Sequence, residues 1–206
     1  MTPEAGGERE RILRAATKLF AALGYDATEI GHIAEAAGLP AKAVNSHFGS
    51  KRDVYVAVME RVHLSHAAVV EPEIKELKAA PSDEKISVLH RLIDRYIDFA
   101  AENPEVPALW MHRWLSDASD VSDLEAQYVQ PLAEFVIEGV IPVRREGDVH
   151  FMINSLIWCV HGFVLSGVFD AAGRRRGPED PRALSRFRAH MHHMVHRTLG
   201  LPGSPP

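Results

Sequence analysis

Helical periodicity covers almost the whole chain and constrains its fold more than any other feature. Ile12, Ala16, Leu19 and Leu23 recur at the three- and four-residue intervals of one helix face, and Gly24 follows where a helix commonly ends. Comparable amphipathic stretches continue to about residue 199, and none of them alternates in the manner of a strand. The sequence therefore predicts an all-α protein.

Turn-forming residues divide this pattern into separate helices. Thr28 has the position of an N-cap for a short second helix that Gly38 closes, and Pro40 begins a third helix that ends near Phe48. Ser50 and the aspartate three positions later have the spacing of a capping box for a fourth helix. The later helices are predicted, in order, at residues 51–70, 86–103, 105–116, 122–141, 147–170 and 182–199, with a break at Pro72 and a kink or break at Pro131.

The composition is that of a folded protein and excludes several classes. Of the 206 residues, 46% are hydrophobic and 25% are charged, which excludes disorder for most of the chain. The single cysteine, Cys159, excludes an intramolecular disulfide and a cysteine-based zinc site. The start of the chain lacks the pattern of a secretion signal, and residues 151–169 are too polar and too short for a membrane span. We therefore expect a cytoplasmic protein without membrane contact.

The overall charge gives little indication of a nucleic-acid partner. The formal net charge is −5, and residues 1–51 balance six basic against six acidic side chains. If this part of the chain binds DNA, a few placed cations must do so without help from a strong overall field.

Three short helices within about 45 residues form the pattern of a helix-turn-helix unit. Gly38 has a physical role in its turn, because a tight turn between two steeply crossing helices needs a positive φ angle. Ala34 and Ala37 are small where the two helices must approach closely. In such units the second helix of the pair, here residues 40–48, enters the major groove of DNA.

These elements resemble the TetR family of bacterial transcriptional regulators over about residues 8–60. The matching positions are Ile12-Leu13-x-Ala15-Ala16-x-x-Leu19-Phe20, Gly24-Tyr25-x-x-Thr28, Ile33-Ala34-x-Ala36-Ala37-Gly38-Leu39 and His47-Phe48-x-Ser50-Lys51. The resemblance implies a homodimer that binds a pseudo-palindromic, double-stranded operator through its N-terminal helices. It also implies a larger C-terminal helical domain for a small-molecule effector, and a repressor that leaves the operator when the effector binds.

The resemblance, together with the Pro/Gly/Ser composition of the last residues, predicts three parts for the chain. They are a helix-turn-helix DNA-binding domain over residues 1–50, a ligand-binding and dimerisation domain over residues 51–200, and a disordered tail over residues 201–206. The homodimer is expected to form through the helices at residues 147–170 and 182–199. The first of these is apolar on more than one face and must therefore be buried widely.

The resemblance assigns DNA contacts to seven positions. Thr28 would cap its helix and contact a phosphate, and Lys51 would bind a phosphate at a helix N-terminus. The recognition helix would carry the remaining contacts, at Lys42, Ala43, Asn45, Ser46 and His47. The family usually has a small residue at position 42, a threonine or similar residue at 43, and aromatic residues at 45 and 46. We therefore expect an altered operator preference, with Asn45 bonding a phosphate or pairing with adenine.

A ligand cavity is expected among aromatic and polar side chains of the C-terminal domain. The candidate residues are Tyr96, Phe99, Trp110, His112, Trp114, Trp158, Cys159 and Phe163. This hypothesis depends on the resemblance, since aromatic residues at helical spacing also form ordinary cores. Such a lining favours an apolar or aromatic effector.

Two other functions stay open at this point. The departures at positions 45 and 46 allow a dimeric small-molecule binder whose DNA binding is vestigial. His192 and His196, four residues apart, allow a histidine-dependent helical metalloenzyme. Paired carboxylates, an activated nucleophile and a glycine-rich phosphate loop are missing from the sequence, which disfavours an enzyme. We therefore expect no catalytic residue, no metal and no cofactor.

Overall fold

The computed structural model of the chain describes residues 4–115 and 117–206, and within these ranges the protein is predominantly helical. Its helices are α1 (Glu4–Leu23), α2 (Ile30–Ala37), α3 (Ala41–Phe48), α4 (Lys51–Ala79), α5 (Lys85–Glu102), α6 (Glu105–Trp114), α7 (Gln130–Val140), α8 (Val149–Ser166) and α9 (Pro181–Leu199). A π-helical turn covers Glu125–Val129, directly before α7. The predicted all-α class is confirmed.

A small β-hairpin follows α8, where the sequence predicted the end of a helix and a loop. β1 (Val168–Phe169) pairs antiparallel with β2 (Arg175–Arg176), and Val168 lies opposite Arg176. The helix predicted to reach residue 170 ends at Ser166, because Gly167 takes a positive φ of 63°. A Cβ at Gly167 would lie 2.5 Å from the carbonyl oxygen of Arg176, so only glycine lets the second strand approach here.

The chain divides into two compact units. The N-terminal unit comprises the chain up to Leu64 together with Glu105–Tyr128, and the C-terminal unit comprises Ser65–Pro104 together with Val129–Pro206. This division differs from the predicted boundary between residues 50 and 51, because α4 contributes to both units and residues 105–128 group with the N-terminal helices. The assignment of a separate function to each part stays a prediction.

Buried apolar residues from three helices form the core of the N-terminal unit. Ile12 and Phe20 of α1, Ile33 of α2 and Val44 of α3 are fully buried. α2 and α3 have eight residues each, which is too short for a stable helix in water. Their conformation therefore depends on this shared core.

The break predicted at Pro72 does not occur. α4 continues through Pro72 to Ala79, although proline cannot donate the backbone hydrogen bond that would reach the carbonyl of Ala68. Pro72 and Ala68 are both exposed, so water can bond that carbonyl and the loss is small. The predicted fourth helix over residues 51–70 was therefore too short.

The kink or break predicted at Pro131 falls beside a change of helix type, because a π-helical turn runs directly into α7 there. The helix expected over residues 122–141 is divided into the π-helical turn and α7, with Pro131 in the first turn of α7. A proline is tolerated at this position because its missing N–H group has no helical partner there.

The C-terminal unit has a continuous apolar core to which α4, α5, α7, α8 and α9 contribute. An ion cluster adds to it, because the buried carboxylate of Glu73 accepts a hydrogen bond from Arg91 Nε at 3.0 Å and forms an ion pair with Arg95 Nε at 2.8 Å. The predicted disordered tail is wrong for its first residue, since Leu201 is only 9% exposed in this core. Its amide donates to the carbonyl of His196 at 3.0 Å.

α8 presents two different apolar faces. Met152 and Phe163 are buried on one face, whereas Phe151 is 70% and Trp158 is 55% exposed on another. By length and composition α8 meets the minimum for a membrane-spanning helix, which the sequence analysis did not expect of residues 151–169. Core helices of soluble proteins meet the same minimum. The burial of its side chains shows that, within this unit, α8 is covered on one face only.

Because His161 and His90 have lowered pKa values, we expect acid to destabilise the C-terminal unit. Burial, together with the nearby His66, lowers the pKa of His161 from 6.5 to about 4. Burial and the neighbouring His192 and His196 lower the pKa of His90 to about 4 as well. Because these folded-state pKa values lie below the unfolded value, the unfolded chain binds more protons between pH 6.5 and pH 4. The contribution of these two neutral histidines to the free energy of unfolding is therefore complete above pH 6.5 and is lost as the pH falls to 4.

Urea unfolding between pH 7.5 and pH 4 measures this effect. For His161 the expected loss of unfolding free energy is about 3 kcal/mol over that interval. His161→Gln should flatten the pH dependence, whereas His150→Gln, at an exposed position of the same helix, should leave it unchanged. Equal pH dependence in the His161→Gln variant and the unmodified protein would contradict the assignment.

Candidate nucleic-acid interface

The turn between α2 and α3 has the geometry of a helix-turn-helix unit. Gly38 ends α2 in the left-handed region, with φ 65° and ψ 40°. The amide of Leu39 donates to the carbonyl of Ala34 at 2.9 Å, and the amide of Gly38 donates to the carbonyl of Glu35 at 3.0 Å. These bonds close the C-terminus of α2, and Pro40 then starts α3 from an extended conformation.

α3 exposes one narrow polar face. Lys42, Asn45 and Ser46 are exposed, and their spacing of three and four residues places them on the same side of the helix. Val44 is fully buried and fixes the opposite side. Ser46 Oγ donates to the carbonyl of Lys42 at 2.8 Å, so its oxygen remains able to accept a hydrogen bond. We call these three residues the α3 polar face.

Ala43 and His47, two further predicted DNA contacts, lie at the margin of this face. Both are half-buried. His47 Nε2 lies 3.3 Å from Glu8 Oε2 of α1, a partner that the sequence pattern gave no reason to expect. The guanidinium of Arg9 lies 5.0 Å above the ring of Phe48 at the end of α3. α1 therefore supports the recognition helix through two charged side chains.

Most charged groups around α1 neutralise one another. Arg14 and Arg61 both lie within ion-pair distance of Glu10, and Arg11 lies within that distance of Glu8. Lys42 is exposed and has no ion pair within residues 4–115 or 117–206. A polyanion would therefore meet few uncompensated cations, and Lys42 is one of them.

Thr28 does not have the capping role predicted for it. α2 begins at Ile30 with Glu29 in the N-cap position. Thr28 is fully buried, and its hydroxyl donates to the carbonyl of Gly24 at 2.6 Å. Its side chain therefore joins the end of α1 to the start of α2, and a phosphate has no access to its hydroxyl.

Lys51 lies at the N-terminus of α4 but already contacts the turn between α1 and α2. Its Nζ donates to the carbonyl of Tyr25 at 3.0 Å and to that of Asp26 at 3.4 Å. It also lies 4.4 Å from the centre of the Tyr25 ring. An ammonium group has three donors, so one is left for a phosphate. The predicted phosphate contact of Lys51 stays a prediction.

The same turn packs on an aromatic cluster and contacts a carboxylate from a distant part of the chain. The ring of Tyr55 lies 5.1 Å from that of Phe20 and 4.8 Å from that of Tyr25. Asp117, which follows α6, accepts hydrogen bonds from the amides of Tyr25 and Asp26. Asp117 was not foreseen, because a carboxylate bound to backbone amides leaves no pattern in the sequence.

The eight predicted ligand-binding residues fall into three groups. Tyr96, Phe99 and Phe163 are buried in the C-terminal unit, whereas Trp158 and Cys159 lie on its surface. The remaining group belongs to the N-terminal unit and consists of Trp110, His112 and Trp114. No single unit contains the whole predicted set, and the ligand cavity stays a prediction.

Polar groups accompany the buried aromatic residues of the C-terminal unit. Tyr96 Oη lies 3.0 Å from His161 Nε2, and both residues are buried. Burial raises the pKa of Tyr96 and lowers that of His161, so both groups are neutral at pH 7. His66 stacks on Tyr96 and on Phe99. The sequence prediction left His66 and His161 out of the ligand set.

His192 and His196, which suggested a metalloenzyme, have separate partners. His192 Nε2 lies 2.8 Å from Asp94 Oδ1, and His196 Nε2 lies 2.7 Å from His90 Nε2. In the part of the chain that the structure describes, no group of three or more potential ligands is arranged to hold a metal ion. These histidines therefore join α9 to α5.

Comparison of sequences relates the N-terminal unit to known regulators. Residues 12–58 match the family described as "Bacterial regulatory proteins, tetR family". Over 90 residues, 44% of this chain, the sequence is 34% identical to the HTH-type transcriptional regulator AcrR of Shigella flexneri. The match covers 40% of AcrR, so the chain spans less than half the length of this curated relative.

Comparison of structures extends the similarity to nearly the whole chain. The TetR family transcriptional regulator PfmR from Thermus thermophilus is 25% identical with a TM-score of 0.63, over 90% of this chain and 97% of PfmR. The fatty acid degradation regulator FadR from Bacillus halodurans has the same fold, with 20% identity and a TM-score of 0.57 over 80% of this chain and 86% of FadR. The helix-turn-helix geometry and these similarities relate residues 12–58 to the TetR family of bacterial regulatory proteins, and the fold of the chain resembles that of TetR family regulators.

Proposed function

We propose that this protein is a ligand-responsive, DNA-binding transcriptional regulator that acts as a repressor. The observation that carries the proposal is the α3 polar face, which presents Lys42, Asn45 and Ser46 to solvent on a helix anchored by the buried Val44. A short helix fixed in this way and exposed on one side is suited to the major groove. The similarity of residues 12–58 to the TetR family supports the same function.

Each residue of the α3 polar face has a distinct role in the proposal. Lys42 donates to guanine or to a phosphate, and the amide of Asn45 makes paired hydrogen bonds with adenine. The Ser46 hydroxyl oxygen accepts one further hydrogen bond. Lys51 contributes its remaining donor to a phosphate, which strengthens binding to any DNA sequence alike.

The proposed regulator is a homodimer formed through α8 and α9. The exposed apolar face of α8 includes Phe151, Trp158 and Leu165, and the small residues Gly162 and Ser166 lie beside it. A second copy of the chain packed on this face would remove these side chains from water. Two-fold symmetry would place the two recognition helices about 34 Å apart, one turn of DNA.

The proposed effector is an apolar or aromatic small molecule bound in the C-terminal unit. Tyr96, Phe99 and Phe163 supply buried aromatic surface, and the Tyr96–His161 pair supplies a neutral polar contact. Effector and operator would favour different conformations of the dimer, and a coupling of about 1–3 kcal/mol is usual for such antagonism. The proposed regulator acts in the cytoplasm, and the proposal includes no catalysed reaction.

DNA binding is tested with duplexes selected by the unmodified protein from a random pool. Fluorescence anisotropy at two salt concentrations should give nanomolar affinity for a selected duplex, about a thousandfold tighter than for a scrambled one. Asn45→Ala should weaken binding to the selected duplex by about 10- to 100-fold, because a paired contact with one base is lost. Its affinity for the scrambled duplex should be unchanged.

Gln130→Ala is the matched control for Asn45→Ala, since it also removes an exposed amide but lies at the start of α7. Its DNA affinity should equal that of the unmodified protein. Equal and weak binding of the unmodified protein to both duplexes would contradict the proposal and favour a small-molecule binder with vestigial DNA binding.

Dimerisation is tested by placing a charge on the exposed face of α8. Trp158→Asp should weaken the dimer at least about 30-fold, because a large aromatic residue at the centre of an interface commonly contributes about 2 kcal/mol or more. Leu64→Asp, at another exposed hydrophobic residue outside α8, is the control and should leave the dimer intact. Sedimentation velocity over a concentration series measures both, and an unaltered Trp158→Asp dimer would refute the proposed interface.

A further inference from the structure

The turn at Gly24–Asp26, between α1 and α2, is held by opposite charges through its main chain. The Asp117 carboxylate accepts hydrogen bonds from the amide of Tyr25 at 2.6 Å and from that of Asp26 at 3.0 Å. On the same two residues, Lys51 Nζ donates to the carbonyls. The N–H groups and the carbonyls of Tyr25 and Asp26 are therefore all bound by charged side chains.

The fit between Asp117 and the turn is close. Gly24 has a φ of +80°, and a Cβ at this position would lie 3.1 Å from Asp117 Oδ1. A second contact comes from the same segment of the chain, because His112 Nε2 lies 3.2 Å from the carbonyl oxygen of Ala21 in α1. The end of α1 and the turn after it are thus in contact with His112 and Asp117.

The segment that carries Asp117 is itself fixed. The guanidinium of Arg113 donates to both carboxylate oxygens of Glu125, at 2.6 and 2.8 Å, and to the carbonyl of Ala118 at 2.9 Å. The Arg113 side chain is only 8% exposed. Bidentate pairs of this kind restrict both partners in position and orientation. Asp117 therefore lies between Arg113 and Ala118, which are joined to each other by one of these hydrogen bonds.

The position of this turn determines where α2 begins. Thr28, two residues beyond it, bonds back to Gly24 and is fully buried. α2 then leads through the tight turn at Gly38 directly into α3. A displacement of the Gly24–Asp26 turn would therefore move the helix pair that carries the α3 polar face.

We propose that Asp117 is a positioning residue for DNA binding, which holds the Gly24–Asp26 turn so that α3 meets the major groove in the correct orientation. This inference rests on the proposed function. Asp117 acts through the backbone amides of Tyr25 and Asp26, and its carboxylate makes no contact with DNA.

Electrostatics separates this role from a direct effect on DNA. Loss of a carboxylate makes the protein less negative, and this change by itself strengthens binding to a polyanion. Asp117→Asn keeps the size of the side chain but replaces one of the two acceptor oxygens with an N–H₂ group that cannot accept a hydrogen bond. A weaker affinity in this variant therefore reports lost positioning.

The test compares Asp117→Asn with Asp120→Asn. Both variants remove one negative charge from the same segment, but Asp120 contacts the turn residue Tyr25 through its phenol oxygen, at 3.5 Å, and no amide of the turn within the described residues. Affinity for the duplex selected by the unmodified protein is measured by anisotropy at several salt concentrations. Thermal unfolding of each variant establishes that it is folded at the assay temperature.

The expected result is a loss of affinity of about tenfold or more for Asp117→Asn, as for a lost charged hydrogen bond. Asp120→Asn should bind as tightly as the unmodified protein or slightly more tightly. The salt dependence of Asp117→Asn should keep its slope, because no phosphate contact is removed. A variant that has merely lost stability would, while folded, keep its affinity.

Two outcomes overturn the inference and one overturns its premise. If Asp117→Asn binds the selected duplex as tightly as Asp120→Asn does, Asp117 does not position α3. If Asp117→Asn is unfolded at the assay temperature, Asp117→Glu takes its place, since it keeps the charge but displaces the carboxylate. An unchanged affinity in that variant also overturns the inference. Failure of the unmodified protein to prefer any duplex overturns the proposed function instead.

Discussion

The helix-turn-helix unit depends on packing that its own two helices cannot provide. α2 and α3 have eight residues each, and helices of this length do not persist alone in water. Val44 and Ile33 bury them against α1, and the main-chain bonds of Asp117 and Lys51 fix the turn that precedes them. The α3 polar face is therefore free to carry exposed residues chosen for recognition, because its stability comes from elsewhere.

In the proposed dimer, α8 of the C-terminal unit would contribute both to the core and to the contact with the second copy. α8 contributes Met152 and Phe163 to the core while Phe151 and Trp158 remain exposed. A helix that was apolar on one face alone would serve the core but would offer no surface to a second copy. The same unit keeps the Tyr96–His161 pair buried and neutral. Its interior is thus apolar with a polar contact, which is the composition that small-molecule sites commonly have.

Local features of the fold were predictable from the sequence, and contacts between distant segments were not. The ends of α1 and α2 follow from Gly24 and Gly38, since glycine adopts the required backbone angles without strain. The prediction at Pro72 was wrong because the cost of a proline depends on whether the freed carbonyl reaches water, which burial decides. Threonine is a common N-cap residue, but the hydroxyl of Thr28 donates to the carbonyl of Gly24 and does not cap α2.

The candidate site likewise has a part that the sequence predicts and a part that it does not. The α3 polar face follows from helical spacing and the single apolar anchor at Val44. The Asp117 contact joins positions 92 residues apart in the chain through backbone amides, so no residue type at the turn indicates it. The exposure of Trp158 and Cys159 was not predictable either, because an apolar helix that packs on one face shows the same hydrophobic pattern as one that is fully buried.

The hydrogen bonds of Asp117 to the amides of Tyr25 and Asp26 do not depend on which side chains those two positions carry. Asp26 is exposed, and its replacement during evolution would leave its amide available to Asp117. The turn can therefore accept new surface residues at position 26, whereas Gly24 is required by its positive φ of 80° and by the Asp117 carboxylate that lies beside it. Related sequences should accordingly vary at position 26 and keep the glycine at position 24.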